Sequence, residues 1–226
     1  MTETGWPLIP REVLPAPVPV ARSARRRPAA PSGRGRQLAI FGADTTDASP
    51  ADLAGLLAGP GRLGRMGGTA RVSVRVDAAW RVHVLVAELV IRGLAASWTP
   101  VVEPDGVSFE VRTAYSSRLN GLARAWPPAA GALYLSGPRL RLWVAAAGRA
   151  QPGGYGLGLD PERTDVGKDH EVIDAALVRA GLAGTVSDGG LCYVISGRRR
   201  LRRLAELVGD RPEAAPDGLW PGGATA

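Results

Sequence analysis

Apolar residues alternate or recur with helical spacing over the middle of the chain, and these two periods predict its elements. Residues 71–76 alternate valine with serine and arginine, which is typical of a half-buried strand. Residues 78–92 carry an apolar stripe with helical spacing, so we expect an amphipathic helix that is capped by Asp77 and ends at Gly93. Strands at residues 98–102 and 107–113 and a helix at residues 117–126 complete this first unit.

The first unit returns later in the chain. The sequence Leu-Val-Ile-Arg-Gly-Leu-Ala of residues 89–95 is repeated as Leu-Val-Arg-Ala-Gly-Leu-Ala at residues 177–183, an offset of 88 residues. The pair Arg118-Leu119 returns as Arg200-Leu201 with an offset of 82, which a shorter hairpin loop in the second copy explains. We therefore predict an α+β fold of duplicated helix–strand–strand–helix units with an antiparallel sheet and pseudo-twofold symmetry, in which each unit covers the apolar face of the other.

Further elements are predicted around the two units. The Ser49-Pro50 pair indicates the start of a short helix at residues 50–58. The glycines and arginines that follow, up to residue 68, predict a connecting loop. Residues 132–135 and 139–145 are predicted to form a β-hairpin that turns at a Ser-Gly-Pro sequence.

These patterns divide the chain into four parts. Residues 1–36 are rich in proline and arginine and have no period, so we expect a disordered tail. Residues 37–69 hold a short apolar motif, the short helix and a linker, and residues 70–210 hold the duplicated domain. Residues 211–226 are predicted to form a second flexible tail, in which Trp220 is a candidate anchor.

The positive charge is unevenly distributed. The chain has a net charge of +7, and its basic residues are almost all arginine, since Lys168 is the single lysine. Arginines concentrate in residues 1–36 and 198–203. This bias is typical of GC-rich genomes as well as of nucleic-acid binding, so the charge is compatible with a nucleic-acid partner without requiring one.

The cellular setting follows from cysteine content and hydropathy. Cys192 is the only cysteine, which excludes an internal disulfide framework. Apolar runs are too short for a membrane span or the core of a signal peptide. We expect a cytoplasmic protein without a membrane partner, associated with the nucleoid if it binds DNA.

Groups suited to catalysis are scarce. Two histidines and one cysteine leave little room for a catalytic triad or a zinc site. The acids of residues 160–174 match neither an EF-hand nor a zinc-protease motif. We expect Asp169 to cap a helix and the acids of its first turn to favour the helix dipole. We therefore predict no catalytic residues, no metal and no cofactor, with an enzyme of unrecognised chemistry as an alternative.

An apolar motif follows the basic tail. Gln37, Leu38, Ile40 and Phe41 form a pattern that resembles the peptide by which bacterial replication and repair proteins dock on the DNA sliding clamp. An extended peptide can place three apolar side chains in a pocket while Gln37 forms hydrogen bonds at its rim. The alternative is an edge strand or packing anchor that joins the tail to the domain.

Two groups of arginines are candidate contacts to DNA phosphates, or else ordinary solvated charges. They are Arg25, Arg26 and Arg27 in the tail, and Arg199, Arg202 and Arg203 on the polar side of a helix predicted near residues 198–208.

The repeated helices and hairpins resemble the LAGLIDADG homing-endonuclease fold, including its catalytically silent relatives of the WhiA type. The resemblance covers residues 70–210 and rests on the architecture and on the similar helix ends at residues 90–94 and 178–182. It implies that an acid ends each of the two central helices in active members and holds the metal ions that cleave DNA. The corresponding places, predicted near residues 96–98 and 184–186, have no acid, so the resemblance implies binding without cleavage.

The resemblance also implies that the strands form a surface facing the duplex. Arg75, Arg112, Arg139 and Arg141 occupy alternating positions of the predicted strands, and Arg112 and Arg141 are the first candidates for DNA contacts.

The leading hypothesis is a non-enzymatic DNA-binding protein that assists replication or repair and is tethered to the sliding clamp by residues 37–41. One alternative is a transcription regulator of the WhiA type, which would bind duplex DNA selectively by sequence. Another is a protein–protein interaction scaffold, including a homodimer, that uses an exposed sheet and binds no nucleic acid.

Overall fold

The structure is a computed structural model that describes residues 42–104, 106–129, 131–160, 166–187 and 189–222, with backbone alone for residues 166–169. The first half contains α1 (Ala54–Ala58), β1 (Arg62–Met66), β2 (Thr69–Val76), α2 (Ala79–Ile91), β3 (Ala96–Glu103), β4 (Gly106–Thr113) and α3 (Asn120–Ala125). The second half contains α4 (Gly137–Ala147), β5 (Gly148–Gln151), β6 (Gly154–Gly158), α5 (Val166–Arg179), β7 (Thr185–Val186), β8 (Cys192–Ser196) and α6 (Arg198–Val208). Short 3-10 turns lie at Pro50–Leu53, Ser117–Leu119 and Asp217–Leu219.

The two halves have the same topology. The first sheet has the strand order β1-β2-β4-β3 and the second sheet the order β5-β6-β8-β7, and all pairs are antiparallel. The α+β class and the duplication are confirmed. The repeated unit is larger than predicted, because each half begins with an additional helix and hairpin.

Each sheet packs one face against the helices. On β2 the side chains of Ala70, Val72, Val74 and Val76 are buried, while the residues between them point to the other face. This alternation follows from the two-residue period of a strand. We call the solvent side of each sheet its outer face.

The first helices of the two halves, α1 and α4, pack directly on each other. A Cβ atom at Gly55 of α1 would overlap the backbone carbonyl of Arg139 in α4. Close to this contact, Leu53, Leu56 and Leu57 are fully buried. The α1–α4 pair is therefore the place where the two halves meet.

The predicted hairpin at residues 132–145 is wrong, because residues 137–147 form helix α4. Pro138 lies in the first turn of this helix, where its missing N–H group costs nothing. Other residues cover α4 on most sides, so Trp143 is fully buried as well as its neighbours Leu142 and Val144. Apolar residues can therefore occupy the positions of Leu140, Leu142 and Val144, whose alternation resembles that of a strand. A helix buried all round has no polar stripe to identify it.

The predicted loop after residue 58 and two predicted helix caps are also wrong. Residues 62–66 form β1, which pairs with β2. The N-cap of α2 is Ala78, and the neighbouring Asp77 instead pairs with Arg81. Helix α5 begins at Val166, so Asp169 lies inside the helix rather than at its cap.

The C-terminal segment packs on the core as far as residue 222, contrary to the predicted flexible tail. Trp220 is buried and its indole N–H donates to the Gly209 carbonyl at 3.3 Å. The hydroxyl of Tyr155 donates to the Leu219 carbonyl at 2.8 Å. Trp220 is thus the anchor that the sequence suggested. Among the described residues, no helix has the length and apolar character that a bilayer crossing needs.

Candidate nucleic-acid interface

The paired helices α1 and α4 end at the middle of the molecule. Both are followed by a Gly-Arg pair, Gly61-Arg62 after α1 and Gly148-Arg149 after α4, so Pro60 and Ala147 are equivalent positions. The indole of Trp143 lies where a side chain at Gly59 would lie, and its N–H donates to the Gly158 carbonyl at 2.8 Å.

These helix ends are the places where the LAGLIDADG resemblance would put catalytic acids. The predicted places near residues 96–98 and 184–186 follow α2 and α5, which are not the paired helices, so that assignment is corrected. The ends of the paired helices carry Pro60 and Ala147, whose side chains have no group that could bind a metal ion.

A signal for α1 was present in the sequence. Residues 53–61 are Leu-Ala-Gly-Leu-Leu-Ala-Gly-Pro-Gly. The nine letters of the family name match them at Leu53, Ala54, Gly55, Leu56 and Gly61. Ala58 and Pro60 stand where the name has its two aspartates. The equivalent stretch of α4, residues 140–148, keeps only Leu140, Ala145 and Gly148 of it, so this part of the repeat is weak in the sequence.

A buried cation lies at the end of α4. Arg81 of α2 is only 5% exposed, and its guanidinium donates to the carbonyls of Ala145 at 3.1 Å and Gly148 at 2.7 Å. It also pairs with Asp77 at 2.8 Å. A cation at the C-terminus of a helix stabilises the unpaired carbonyls and the negative end of the helix dipole.

Near this place, Arg62 and Asp160 from the two halves lie 3.6 Å apart. Within the described part of the chain, no three His, Cys, Asp or Glu side chains gather in a way that could hold a metal ion. The contacts of Arg81 and the Arg62–Asp160 pair connect elements of the fold at the ends of the paired helices.

The outer face of the first sheet is basic and polar. Arg71, Ser73 and Arg75 lie on this face of β2, where Ser73 is opposite Arg112 of β4 and Arg75 is opposite Glu110. Ser97 of β3 is opposite Arg112 on its other side. Hydroxyl and guanidinium groups of this kind can donate to phosphates and to base edges.

Neighbouring side chains orient these arginines. The guanidinium of Arg71 lies over the Tyr115 ring, 5.0 Å from its centre. Arg75 pairs with Glu103, and Arg112 lies 3.8 Å from Glu110 and 3.4 Å from the Ser97 hydroxyl.

Arg75 and Arg112, although each pairs with a glutamate, remain accessible to a ligand. The side chains of Arg75 and Arg112 are 58% and 38% exposed. Exposed ion pairs are weak, and a guanidinium has five donors, so these groups can bind a ligand without breaking buried contacts. The prediction that Arg75 and Arg112 lie on an exposed strand face agrees with the structure.

Arg141 and Arg139 lie on α4 rather than on a strand, which corrects their predicted placement. The guanidinium of Arg141 contacts Glu88 at 2.6 Å and donates to the carbonyls of Val208 and Asp210 at 2.8 and 2.7 Å. Arg139 donates to the Tyr134 carbonyl at 2.6 Å. The visible contacts of Arg141 are thus structural, and it is away from the outer faces of the sheets.

Glu88 is the centre of a buried ionic network. Its carboxylate accepts from Arg141 and, at 2.7 Å, from Arg92, which also contacts Asp52 at 3.1 Å. Burial alone would raise the pKa of the Glu88 carboxyl, but the charges and hydrogen bonds of Arg141 and Arg92 outweigh it and hold the pKa below its usual value.

Helix α6 carries the second group of candidate arginines. Leu204, Leu207 and Val208 are buried, while Arg199 and Arg202 are exposed and Arg203 is partly exposed. Arg202 and Arg203 share Glu206 at 3.3 and 3.9 Å. Among the described residues, Arg199 forms no ion pair and is exposed.

The remaining candidates lie outside the described residues, namely Arg25, Arg26, Arg27, Gln37, Leu38, Ile40 and Phe41. The described chain begins at Gly42. Gly42 is buried, and the backbone N–H of Ala43 donates to the Leu207 carbonyl at 2.8 Å.

Comparisons with known proteins identify the fold. No protein-family model matches the sequence, and neither does any curated protein. The homing endonuclease I-WcaI bound to its DNA recognition sequence has 10% sequence identity and a TM-score of 0.50, with 78% of this chain and 90% of that chain covered. I-DmoI in complex with DNA and Mn has 14% identity and a TM-score of 0.41, with 72% and 97% covered. The fold is therefore LAGLIDADG-like, and identities this low show the fold alone.

Proposed function

We propose that this protein binds duplex DNA and does not cleave it. One observation carries the proposal. The outer face of the first sheet presents Arg71, Arg75 and Arg112, while the paired helices end in Pro60 and Ala147 instead of acids. Without paired carboxylates, the helix ends lack ligands for the metal ions of two-metal hydrolysis.

The chemistry of the surface favours DNA over an acidic protein. Arginines alternate with serines on adjacent strands, so guanidinium and hydroxyl donors are spread over a surface rather than concentrated in a pocket. A duplex carries phosphates and base-edge acceptors over a similarly extended surface. That the similar structure of I-WcaI is a DNA complex supports the same choice.

Binding and cleavage can be measured together. The full chain is titrated into a labelled duplex pool at several salt concentrations, with Mg²⁺ or Mn²⁺ present. We expect retention that weakens steeply as salt rises, because counterions are released from neutralised phosphates, and we expect every strand to stay intact. Absence of retention at low salt would refute DNA binding, and nicked strands would refute the non-catalytic proposal.

Helix α6 is proposed to form a second, separate set of contacts to phosphates. The double change Arg199→Ala/Arg202→Ala should lower the slope of log affinity against log salt by about two, because each phosphate contact contributes about one unit. A control, His83→Glu/Ala87→Glu, places acids at exposed positions of α2. An equal loss in the control would show that net charge, rather than α6, is responsible.

The motif at residues 37–41 is proposed to dock the protein on a sliding clamp. Because Gly42 is already buried in the body, a docked peptide would hold the DNA-binding surface close to the clamp ring and raise its local concentration on DNA. Leu38→Ala/Phe41→Ala in the full chain should abolish binding to a purified bacterial clamp and leave the thermal midpoint unchanged. Clamp binding that survives this change would refute the tether, and a lowered midpoint would identify the motif as a packing anchor.

A further inference from the structure

The two halves can be aligned strand by strand. Arg62 pairs with Ser73 in the first sheet, and the equivalent Arg149 pairs with Gly156 in the second. Ser73 then pairs with Arg112, as Gly156 pairs with Val194. Arg112 therefore corresponds to Val194, at an offset of 82 residues. The repeated pair Arg118 and Arg200 has the same offset, so the strand pairing and the sequence repeat give the same alignment.

The aligned outer faces differ at the charged positions. The positions of Arg71, Ser73 and Arg75 on β2 correspond to Gly154, Gly156 and Gly158 on β6. On β4, Glu110 and Arg112 correspond to Cys192 and Val194 on β8. The second sheet has thus replaced donors and acceptors by glycine and apolar residues.

The space above these glycines is filled from within the protein. A Cβ at Gly156 would lie 2.6 Å from the sulfur of Cys192 and 2.7 Å from the amide nitrogen of Gln151. That amide already donates to the Cys192 sulfur at 3.4 Å. Among the described residues of the strands on this face, Arg149 supplies the one cation. The outer face of the second sheet therefore has few projecting side chains and few groups that could distinguish bases.

Discrimination between bases needs side chains that reach into the major groove. Arginine does this most often, by two hydrogen bonds to a guanine, and glutamate can accept from cytosine. The first sheet presents both residue types, and the second sheet presents neither on β6 or β8. A smooth face can still lie against a phosphate backbone, for which Arg149 provides one contact.

We propose that the protein recognises its DNA site asymmetrically, with the first sheet contacting bases in one half-site and the second sheet contacting the backbone of the other. The proposal rests on the proposed duplex binding. Arg71 and Arg75 are four residues apart on a strand, which is about 13 Å, or about four base pairs. The recognised half-site is therefore short and contains guanines.

A selection experiment tests this directly. The full chain is mixed with duplexes that have a random core of about two helical turns, and the retained sequences are aligned. We expect one block of about four to five conserved base pairs, rich in guanine on at least one strand, beside a block without preference. Two conserved blocks of similar strength, or retention without any preference, would overturn the asymmetry. Failure to retain any duplex at low salt would instead remove the proposed function itself.

Single-residue variants of the two sheets show which sheet recognises the conserved block of base pairs. On the selected duplex, Arg75→Ala or Arg112→Ala should weaken binding about tenfold to a hundredfold, and the lost preference should lie in the conserved block. Arg149→Ala should weaken binding less and leave the selected sequence unchanged. Equal thermal midpoints confirm that all three variants fold. If Arg149→Ala abolishes the preference while Arg75→Ala and Arg112→Ala leave it intact, the proposal is wrong.

Discussion

At the scale of single residues, Gly55 determines how closely the two halves approach. Gly55 lies in α1 with an ordinary helical backbone. It is therefore required because it has no side chain, and not because of the conformational freedom of glycine. Any Cβ there would overlap the main chain of Arg139, which cannot move aside like the end of a flexible side chain.

Gly55→Ala should therefore destabilise the protein by at least about 1–3 kcal/mol, although alanine normally favours a helix. Gly121→Ala in α3 is the matched control, because a Cβ at Gly121 meets no atom within 4 Å. We expect the control to be neutral or to stabilise by up to about 1 kcal/mol. Urea unfolding measures both variants, and equal effects would contradict the close contact of α1 with α4.

A second decisive residue is Glu88, whose lowered pKa has a consequence for pH. A carboxyl with a folded pKa below its unfolded value stabilises the fold above the unfolded pKa, near 4.5. This stabilisation is lost as the pH falls through the folded pKa.

Glu88→Gln should cost about 3–5 kcal/mol at neutral pH, because it leaves the buried Arg92 and Arg141 without their shared anion. The difference from the native protein should shrink as the pH falls from the unfolded pKa near 4.5 toward the lowered folded pKa, because the carboxyl of the unfolded chain is protonated first. Unfolding free energies at pH 7 and at pH 3 to 4 give the comparison. Glu103→Gln breaks the exposed pair with Arg75 and should cost less than about 1 kcal/mol.

At the scale of elements, burial separates what the sequence pattern predicted from what it did not. Helix α2 and strand β2 each have one buried face, and their periods identified them correctly. Helix α4 packs against elements of both halves, so apolar residues occupy most of its sides. Its sequence therefore has no helical period of apolar and polar residues. Strand β1 escaped prediction because glycine and arginine occupy most of a short edge strand.

The C-terminal segment is an element without regular structure that nevertheless contributes to the core. Trp220→Ala should cost about 3–5 kcal/mol, since the indole is buried, lies under the guanidinium of Arg141 at 5.2 Å and bonds to Gly209. Trp98→Ala is the control, because Trp98 is about half exposed. Comparable losses in thermal denaturation would mean that the segment is not part of the core.

At the scale of the whole molecule, buried ionic contacts join the two halves. Glu88 and Arg81 of α2 reach across to α4 in the second half. The positions equivalent to Glu88 and Arg92 on α5 are Ala176 and Ala180 in the sequence repeat. The halves are thus alike in topology and different in the charged residues of their helices and of the outer faces of their sheets.

This coupling predicts a single unfolding transition. The fluorescence of Trp143, at the contact between the halves, and the far-ultraviolet circular dichroism should change at the same urea concentration. Tryptophans other than Trp143 can be replaced by phenylalanine where they are exposed, as a check on the signal. Two separate transitions would show that each half folds by itself.

The sequence by itself determined the class, the duplication and the elements with one exposed face, because those depend on period and on local signals such as Gly93 and Gly209 at helix ends. It also suggested the LAGLIDADG-like fold. The tertiary structure alone decided which helices are paired, and hence that Pro60 and Ala147 mark the central positions. It also separated Arg112, which faces solvent on a strand, from Arg141, which binds Glu88 inside. Both arginines look alike in sequence, because a guanidinium acquires its role from the partners that distant parts of the chain bring to it.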